Sequence, residues 1–342
     1  MTLEILWFLI VGVLFVGYFV LDGFDFGVGM SLPFLGKTNN ERRQVINTIG
    51  PVWDMNETWV IVAGASLFAA FPEWYATLFS GAYLALFLIL VALILRGVSF
   101  EYRHQGRAGR WSNWFDAFIV IGSALPALLW GVAVANIING LPIEKIGYSY
   151  VFQGTLFTLL NPYALLGGLT TLLLFFTHGV QFVALKTDGV VRDRAHALGR
   201  KAGILTIVVA ASFLLWTNII HFSPVVLLFS ALAAVTLIVS FGFNWVKRDG
   251  LAFTFTALTV VFAVLALWMV LFTSYDAHMV LPSTLGLEHS LTLTTASSSQ
   301  NTLQFMTWVA VIALPIVLVY QGWTYWVFRK RVTVKHIEQA AH

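Results

Sequence analysis

The chain has 342 residues, of which 59% are hydrophobic and only 10% are charged, with a formal net charge of +3. A soluble domain carries about 25% charged residues, so this composition excludes an ordinary soluble protein and indicates one that crosses a membrane several times. The 19 Lys and Arg residues lie between apolar runs and form no contiguous patch, so we expect no nucleic acid partner. The sequence contains no cysteine, which excludes disulfides, thiolate nucleophiles and Cys-ligated clusters.

Nine apolar runs are long enough to span a bilayer, which takes about 20 residues. They lie at residues 5–29, 52–71, 74–98, 114–136, 162–185, 202–221, 224–245, 251–274 and 303–328. The loop pattern of the first four spans resembles that of the next four, so we predict an all-α fold of two four-helix bundles and one peripheral helix. Residues 1–342 would form a single integral membrane domain, with the two bundles at 1–136 and 162–274 and the ninth helix at 303–328.

Basic residues between the spans predict the orientation, because cytoplasmic loops carry an excess of Lys and Arg. With nine spans, all but one of the 19 basic residues fall on the same side of the membrane, and Lys145 is the exception. This assignment places Arg96 in the cytoplasmic segment after span 3. The sequence therefore predicts an N-terminus outside and a C-terminus in the cytoplasm.

Carboxylates cluster near the cytoplasmic side of the predicted spans. Span 1 ends in LDGFDFGVGM, in which Asp22 and Asp25 share one helix face. Span 2 begins with WDMNETW, which places Asp54 about one turn and Glu57 about two turns into the helix. Asp116 opens span 4 on the same side. Ionisable groups are costly in lipid, so we interpret this set as an entry for protons or cations from the cytoplasm.

A structural role explains only part of this set. The helix macrodipole favours carboxylates in a first turn, which could account for Asp54 and Asp116, and for Asp116 this structural role is the favoured interpretation. The same effect disfavours Asp22 and Asp25, which lie near the C-terminal end of a helix. Glu57 lies too deep in its helix for this explanation.

Two other features of the spans concern packing and haem. Gly23 and Gly27 are four residues apart, which predicts close contact with another helix. His178 lies within span 5 and His221 at the outer end of span 6, so the two histidines cannot clamp one haem. His178 could serve as a single haem ligand, but a hydrogen bond to a neighbouring helix is the favoured interpretation. We therefore predict no metal site in this chain.

Four stretches spread along the chain resemble one family. They are FVLDGFDFGVGM, GPVWDMNETWVIVAGASLFAAFP, RGVSFEYR and SSSQNTLQFMTWVAVIALPIVLVY. Together they resemble subunit II of the cytochrome bd-type quinol oxidases, and the pairing of LDGFDFGVG with WDMNETW is far more specific than any lone short motif. The chain departs from some members of the family in one place, because HFSPV makes a tight turn between spans 6 and 7 where those members carry a long outer insertion.

The resemblance implies a multi-pass protein of a bacterial or archaeal cytoplasmic membrane. It implies a subunit of a quinol:O2 oxidoreductase that reduces oxygen to water and generates a proton gradient. The chain itself would hold no redox centre and no catalytic residue. Its partner, subunit I, would carry two b-type haems, one d-type or further b-type haem, and the quinol site. A small single-helix subunit and a quinone held by this chain are both compatible with the family.

The resemblance also assigns roles to residues. Asp54 matches the aspartate assigned to proton uptake, Asp25 and Glu57 match nearby motif positions, and Asp22 joins them in the predicted proton pathway. Trp59 matches an aromatic residue on a suggested oxygen route.

Two interpretations from other classes stay open at this point. A proton-coupled secondary transporter would also use intramembrane carboxylates and a half-repeat, although here the carboxylates lie near one face rather than at the midplane. A haem-b membrane anchor would use His178 as its ligand.

Overall fold

The computed structural model describes residues 2–106, 109–147, 149–275 and 278–333. Within these ranges the protein is a bundle of long helices with very little strand, which confirms the predicted all-α membrane fold. Arg107 and Lys335, which we counted among the cytoplasmic basic residues, lie outside the described residues.

Helices follow one another along almost the whole described chain. They are α1 (Leu3–Leu35), α2 (Asn39–Ile46), α3 (Trp53–Ala70), α4 (Pro72–Gly81), α5 (Tyr83–Tyr102), α6 (Arg110–Asn139), α7 (Leu156–Leu159), α8 (Pro162–Lys186), α9 (Gly189–Ile220), α10 (Pro224–Trp245), α11 (Asp249–Thr273), α12 (Leu293–Ala296) and α13 (Gln300–Val327). Two antiparallel hairpins pair β1 (Ile143–Ile146) with β2 (Ser149–Phe152) and β3 (Met279–Leu281) with β4 (Leu291–Thr292).

Eight helices of the described chain are long and apolar enough to cross a membrane. They are α1, α5, α6, α8, α9, α10, α11 and α13. The remaining predicted span corresponds to α3, which has 18 residues and carries Asp54, Asn56 and Glu57 in its first turns. Because of these polar residues, α3 has no stretch of membrane-spanning length as apolar as those found in the other eight helices. The count of nine spans and the orientation therefore stay predictions.

Predicted span 3 differs from the structure, because residues 74–98 belong to two helices. α4 begins with Pro72, which suits a first helical position because its missing N–H leaves no bond unmade. The helix ends at Gly81, and α5 begins after Ala82. Glycine is a weak helix former, which suits Gly81 to the end of α4. Gly81 also lies close to β2, because a Cβ there would be 3.1 Å from the ring of Phe152. The hairpin of β1 and β2 thus packs against the chain where the two helices meet.

The two long loops at the predicted outer side contain the hairpins, which the sequence did not indicate. The loops are joined to each other, since Leu141 N–H donates to the Pro282 carbonyl at 3.0 Å and Thr284 N–H donates to the Leu141 carbonyl at 3.0 Å. The predicted tight turn between spans 6 and 7 is confirmed, because α9 ends at Ile220 and α10 begins at Pro224.

The helix α1 is the centre of the bundle. It contacts α3, α6, α8 and α11, while α6 contacts α5 and α8, and α10 contacts α9 and α11. Because α1 and α6 both pack on α8, the two predicted four-helix units meet across a helix interface, and their separation stays a prediction. The last helix, α13, contacts α1 and α3 and leaves most of its side chains exposed. This agrees with its predicted peripheral position.

Glycines allow α1 and α8 to cross closely. A Cβ at Gly27 would lie 1.9 Å from the Phe175 carbonyl oxygen, and a Cβ at Gly179 would lie 2.3 Å from the backbone of Gly27. A Cβ at Gly23 would lie 2.9 Å from the Phe175 ring. The close packing predicted for Gly23 and Gly27 is thus confirmed, and its partner is a helix of the same chain.

We expect Gly27→Ala to lower the stability of the protein by about 1–3 kcal/mol, because the added methyl group forces α1 and α8 apart. Thermal unfolding of the purified protein in detergent measures the loss. Gly242→Ala in α10 is the matched control, since a Cβ there would meet nothing within 4 Å. Equal unfolding temperatures for the two variants would contradict the close crossing.

Cysteine labelling tests the predicted orientation, because the chain has no cysteine of its own. A cysteine at Ser149, an exposed position in β2, should react with a membrane-impermeant reagent added outside intact cells. A cysteine at Asp193, exposed in the first turns of α9, should react only after the cells are opened. The opposite pattern would reverse the orientation.

Candidate functional site

A buried ion-pair cluster joins three helices. The Arg96 side chain of α5 donates through Nη2 to Asp22 Oδ1 of α1 at 2.7 Å and to Glu57 Oε2 of α3 at 3.0 Å. The side chains of Arg96 and Asp22 are fully buried, and that of Glu57 is 21% exposed. The guanidinium also lies over the Phe26 ring, 4.4 Å from its centroid. One cation thus binds two of the predicted pathway carboxylates at once.

Asp25 lies one turn beyond Asp22 on α1 and binds a different partner. Its Oδ2 accepts a hydrogen bond from Asn56 Nδ2 of α3 at 2.9 Å, and Asn56 Oδ1 accepts one from the Tyr325 hydroxyl of α13 at 2.7 Å. Asp25 and Asn56 are fully buried. Since Asn56 and Glu57 are neighbours on α3, the Asp25 bond and the Arg96 ion pairs belong to one polar site.

Four buried polar atoms of this site have no hydrogen-bond partner among the described residues. They are Asp22 Oδ2, Asp25 Oδ1, Arg96 Nε and Arg96 Nη1. Buried polar groups that the protein leaves unpaired are usually satisfied by ordered water. The site therefore offers both donors and acceptors to water molecules inside an apolar bundle.

Two of the carboxylates named from the sequence lie apart from this site or at its edge. Asp54, in the first turn of α3, is exposed. Asp116 accepts hydrogen bonds from Arg42 at 2.8 Å and from Arg103 at 2.5 Å and 3.2 Å. Asp116 thus belongs to a separate ion-pair group with Arg42 and Arg103, which agrees with a structural role for this residue.

Trp59, the predicted oxygen-route residue, lies between α1 and α13. Its Nε1 donates to Gln321 Oε1 at 2.8 Å, and its ring covers Gly17, where a Cβ would lie 2.1 Å from the ring. An apolar cavity of about 160 Å³ lies elsewhere in the bundle, lined by residues that include Phe15 and Trp130. Trp59 does not line this cavity.

His178 has both ring nitrogens engaged by groups of this chain. Nε2 lies 3.1 Å from the Val20 carbonyl oxygen and donates to it, while Nδ1 lies 2.9 Å from the Thr256 hydroxyl. The imidazole is fully buried and stacks on Phe253 with ring centroids 4.7 Å apart. These bonds favour the interhelical role and leave neither nitrogen directed at an iron. No group of three or more His, Asp or Glu suited to a metal occurs in the described part of the chain.

Sequence reasoning missed three residues of the site: Arg96, Asn56 and Tyr325. The assignment of Arg96 to a cytoplasmic loop is wrong, because the residue is buried within α5 between two carboxylates. Its position inside the apolar run LILRGVSF was the available signal, since an arginine there needs an acidic partner. Asn56 lies within WDMNETW, whereas Tyr325 carried no local signal.

We expect Arg96→Leu to destabilise the protein by about 3–5 kcal/mol, because Asp22 and Glu57 would be left without their cation. Yield and thermal unfolding of the purified protein measure this loss. Arg110→Leu is the control, since Arg110 is exposed at the start of α6. If both variants unfolded at the wild-type temperature, the buried ion pairs would not be needed for folding.

Comparisons with known proteins agree on one relationship. Residues 3–328 match the family model for cytochrome bd terminal oxidase subunit II. The chain is 36% identical to cytochrome bd-I ubiquinol oxidase subunit 2 of Escherichia coli (strain K12), over 100% of this chain and 98% of that protein. It is 37% identical to cytochrome bd ubiquinol oxidase subunit 2 of Bacillus subtilis (strain 168), over 98% of each chain.

The fold also matches a solved structure. A chain in the structure of bd oxidase from Geobacillus thermodenitrificans superposes with a TM-score of 0.74 over 96% of this chain and 100% of that one. The sequence identity is 16%, so this match shows a shared fold only.

Proposed function

The chain belongs to the cytochrome bd terminal oxidase subunit II family, and from this membership we propose that it guides cytoplasmic protons towards the oxygen-reducing haem of its partner. The partner would be a haem-bearing subunit I. The complex would oxidise membrane quinol, reduce oxygen to water and thereby generate a proton gradient across a bacterial cytoplasmic membrane.

The observation that supports this proposal is the set of unpaired buried atoms around Asp22, Asp25 and Arg96. Proton transfer through an apolar bundle needs groups that exchange protons, with water or hydroxyls between them. The site supplies three carboxyl groups and only one guanidinium, so one cation cannot neutralise all three carboxylates. Such crowding of like charges favours sharing a proton within the group.

The geometry suggests an order for the pathway. Asp54 is exposed at the start of α3 and would take up the proton. Glu57 lies one turn deeper, is partly exposed and binds Arg96, so it would come next. Asp22 and Asp25 lie fully buried beyond it.

A carboxylate exposed on a membrane helix is costly if lipid covers it. We propose that the α3 surface around Asp54 meets either the partner subunit or a hydrated opening.

The haems of the complex would lie in subunit I, as two b-type haems and one d-type or further b-type haem. In this chain the fit to a haem is poor, because both nitrogens of His178 already bind Thr256 and Val20.

The apolar cavity beside Phe15 and Trp130 suits a nonpolar molecule, such as oxygen or the tail of a quinone. Trp59 would line a separate oxygen route near α13, and a small single-helix subunit could complete the complex.

Replacement of the carboxyl groups tests the pathway. Asp25→Asn, Asp54→Asn and Glu57→Gln keep the side-chain size but cannot carry a proton. We expect each to slow quinol-driven oxygen consumption by about tenfold or more in the purified complex, since a positioned proton-transfer group is lost. Proton uptake from the cytoplasmic side of proteoliposomes should slow in parallel, with unchanged haem content.

Asp193→Asn is the matched control for this experiment. Asp193 is an exposed aspartate of α9 that pairs only with Lys247, at 3.3 Å, within the described chain. Its replacement should leave oxygen consumption unchanged. If the three pathway variants assembled fully and consumed oxygen at the wild-type rate, the cluster would be structural and the proposed pathway wrong.

A further inference from the structure

One chain of hydrogen bonds joins the peripheral helix to the carboxylate site. The Tyr325 hydroxyl of α13 donates to Asn56 Oδ1 at 2.7 Å, and Asn56 Nδ2 donates to Asp25 Oδ2 at 2.9 Å. Tyr325 is therefore linked to Asp25 through one amide group. Neither the predicted pathway nor the ion pairs of Arg96 include this link.

The Asn56 amide has two different ends, and its surroundings distinguish them. Nδ2 faces two acceptors, Asp25 Oδ2 and, at 3.5 Å, the Leu21 carbonyl. Oδ1 faces the Tyr325 hydroxyl, which can donate. Rotation of the amide by 180° would place Oδ1 against two acceptors, and the Tyr325 hydroxyl would lose its bond to Oδ1 and would have to accept from Nδ2 instead.

The turned amide becomes favourable only when Asp25 carries a proton. A protonated carboxyl group has an O–H donor, and Asn56 Oδ1 would accept from it. The orientation of the amide and the protonation of Asp25 are thus coupled, and the Tyr325 hydroxyl anchors the observed orientation by donating to Oδ1.

We propose that Tyr325 is a positioning residue for proton exchange at Asp25 and that it acts through Asn56. By donating to Oδ1 it holds Nδ2 towards the carboxylate, which keeps Asp25 ready to accept a proton. This inference rests on the proposed function, because it requires that Asp25 carries protons. No covalent step is involved: the proton arrives from the cytoplasmic side and leaves towards the partner.

The variant Tyr325→Phe removes the donor with little change in packing. The Tyr325 ring packs against an apolar cluster of the cytoplasmic half that includes Phe24 and Val28, and phenylalanine keeps that ring. Tyr320→Phe is the matched control, because Tyr320 lies on the same helix, is 58% exposed and has no hydroxyl bond within the described chain.

The test compares the turnover of five complexes: wild type, Tyr325→Phe, Asn56→Leu, the double variant and the control Tyr320→Phe. With a short-chain quinol as substrate, we expect Tyr325→Phe to lower kcat by about threefold or more, as the loss of one hydrogen bond would. The KM for quinol and the haem content should stay unchanged, because the change affects proton delivery only. Tyr320→Phe should match the wild type.

The double variant separates action through Asn56 from action by another route. If Tyr325 acts only by orienting Asn56, then Tyr325→Phe will slow the wild type but will not further slow Asn56→Leu. Multiplying effects would overturn the inference. If Asn56→Leu fails to assemble, Asn56→Ala takes its place in the cycle.

The outcome for Asp25→Asn distinguishes this inference from the proposed function. If Asp25→Asn slows turnover while Tyr325→Phe has wild-type kcat, the inference is wrong and the pathway stands. If Asp25→Asn itself turns over normally, the proposed function fails, and the role of Tyr325 fails with it.

Discussion

The structure depends on a guanidinium buried in the membrane bundle. An isolated charge in this position would cost several kcal/mol, so Arg96 requires carboxylates from other helices at the same depth. Asp22 and Glu57 meet that requirement, one from α1 and one from α3. The helices α1, α3 and α5 are thereby held in one register along the membrane normal. A shift of one helical turn in any of them would leave a charge unpaired in the interior.

The opposite face of α1 imposes a second constraint. There Gly27 and Gly179 bring the backbones of α1 and α8 into contact, and His178 of α8 donates to the Val20 carbonyl of α1. A backbone carbonyl within a helix rarely accepts a bond from another helix unless the two approach closely. The central helix is thus held by charge on one side and by close packing on the other. Together these contacts determine the depth and direction of Asp22 and Asp25.

The sequence predicts an element correctly where the residues that define it are close together in the chain, and it fails where they are distant. The span at 224–245 coincides with α10 because proline and a turn delimit an uninterrupted apolar run. Asp25 and Glu57 could be identified as candidate site residues from the sequence, because a carboxylate within an apolar run is unusual. Arg96 was misassigned because an arginine at the end of an apolar run resembles an orientation signal, and only the fold brings Asp22 against it.

Pairings between distant residues lie beyond such reasoning altogether. Asn56 and Tyr325 are 269 positions apart, and nothing near Tyr325 in the sequence indicates a polar partner. The two hairpins were missed for a related reason, because their strands are only two to four residues long and some of their loop bonds, such as that from Leu141 to Pro282, join distant parts of the chain. A helix in lipid forms its backbone hydrogen bonds within itself, so it can be predicted from the local sequence. Loops and side-chain networks satisfy their polar groups through tertiary contacts, so their partners appear only once the helices are packed.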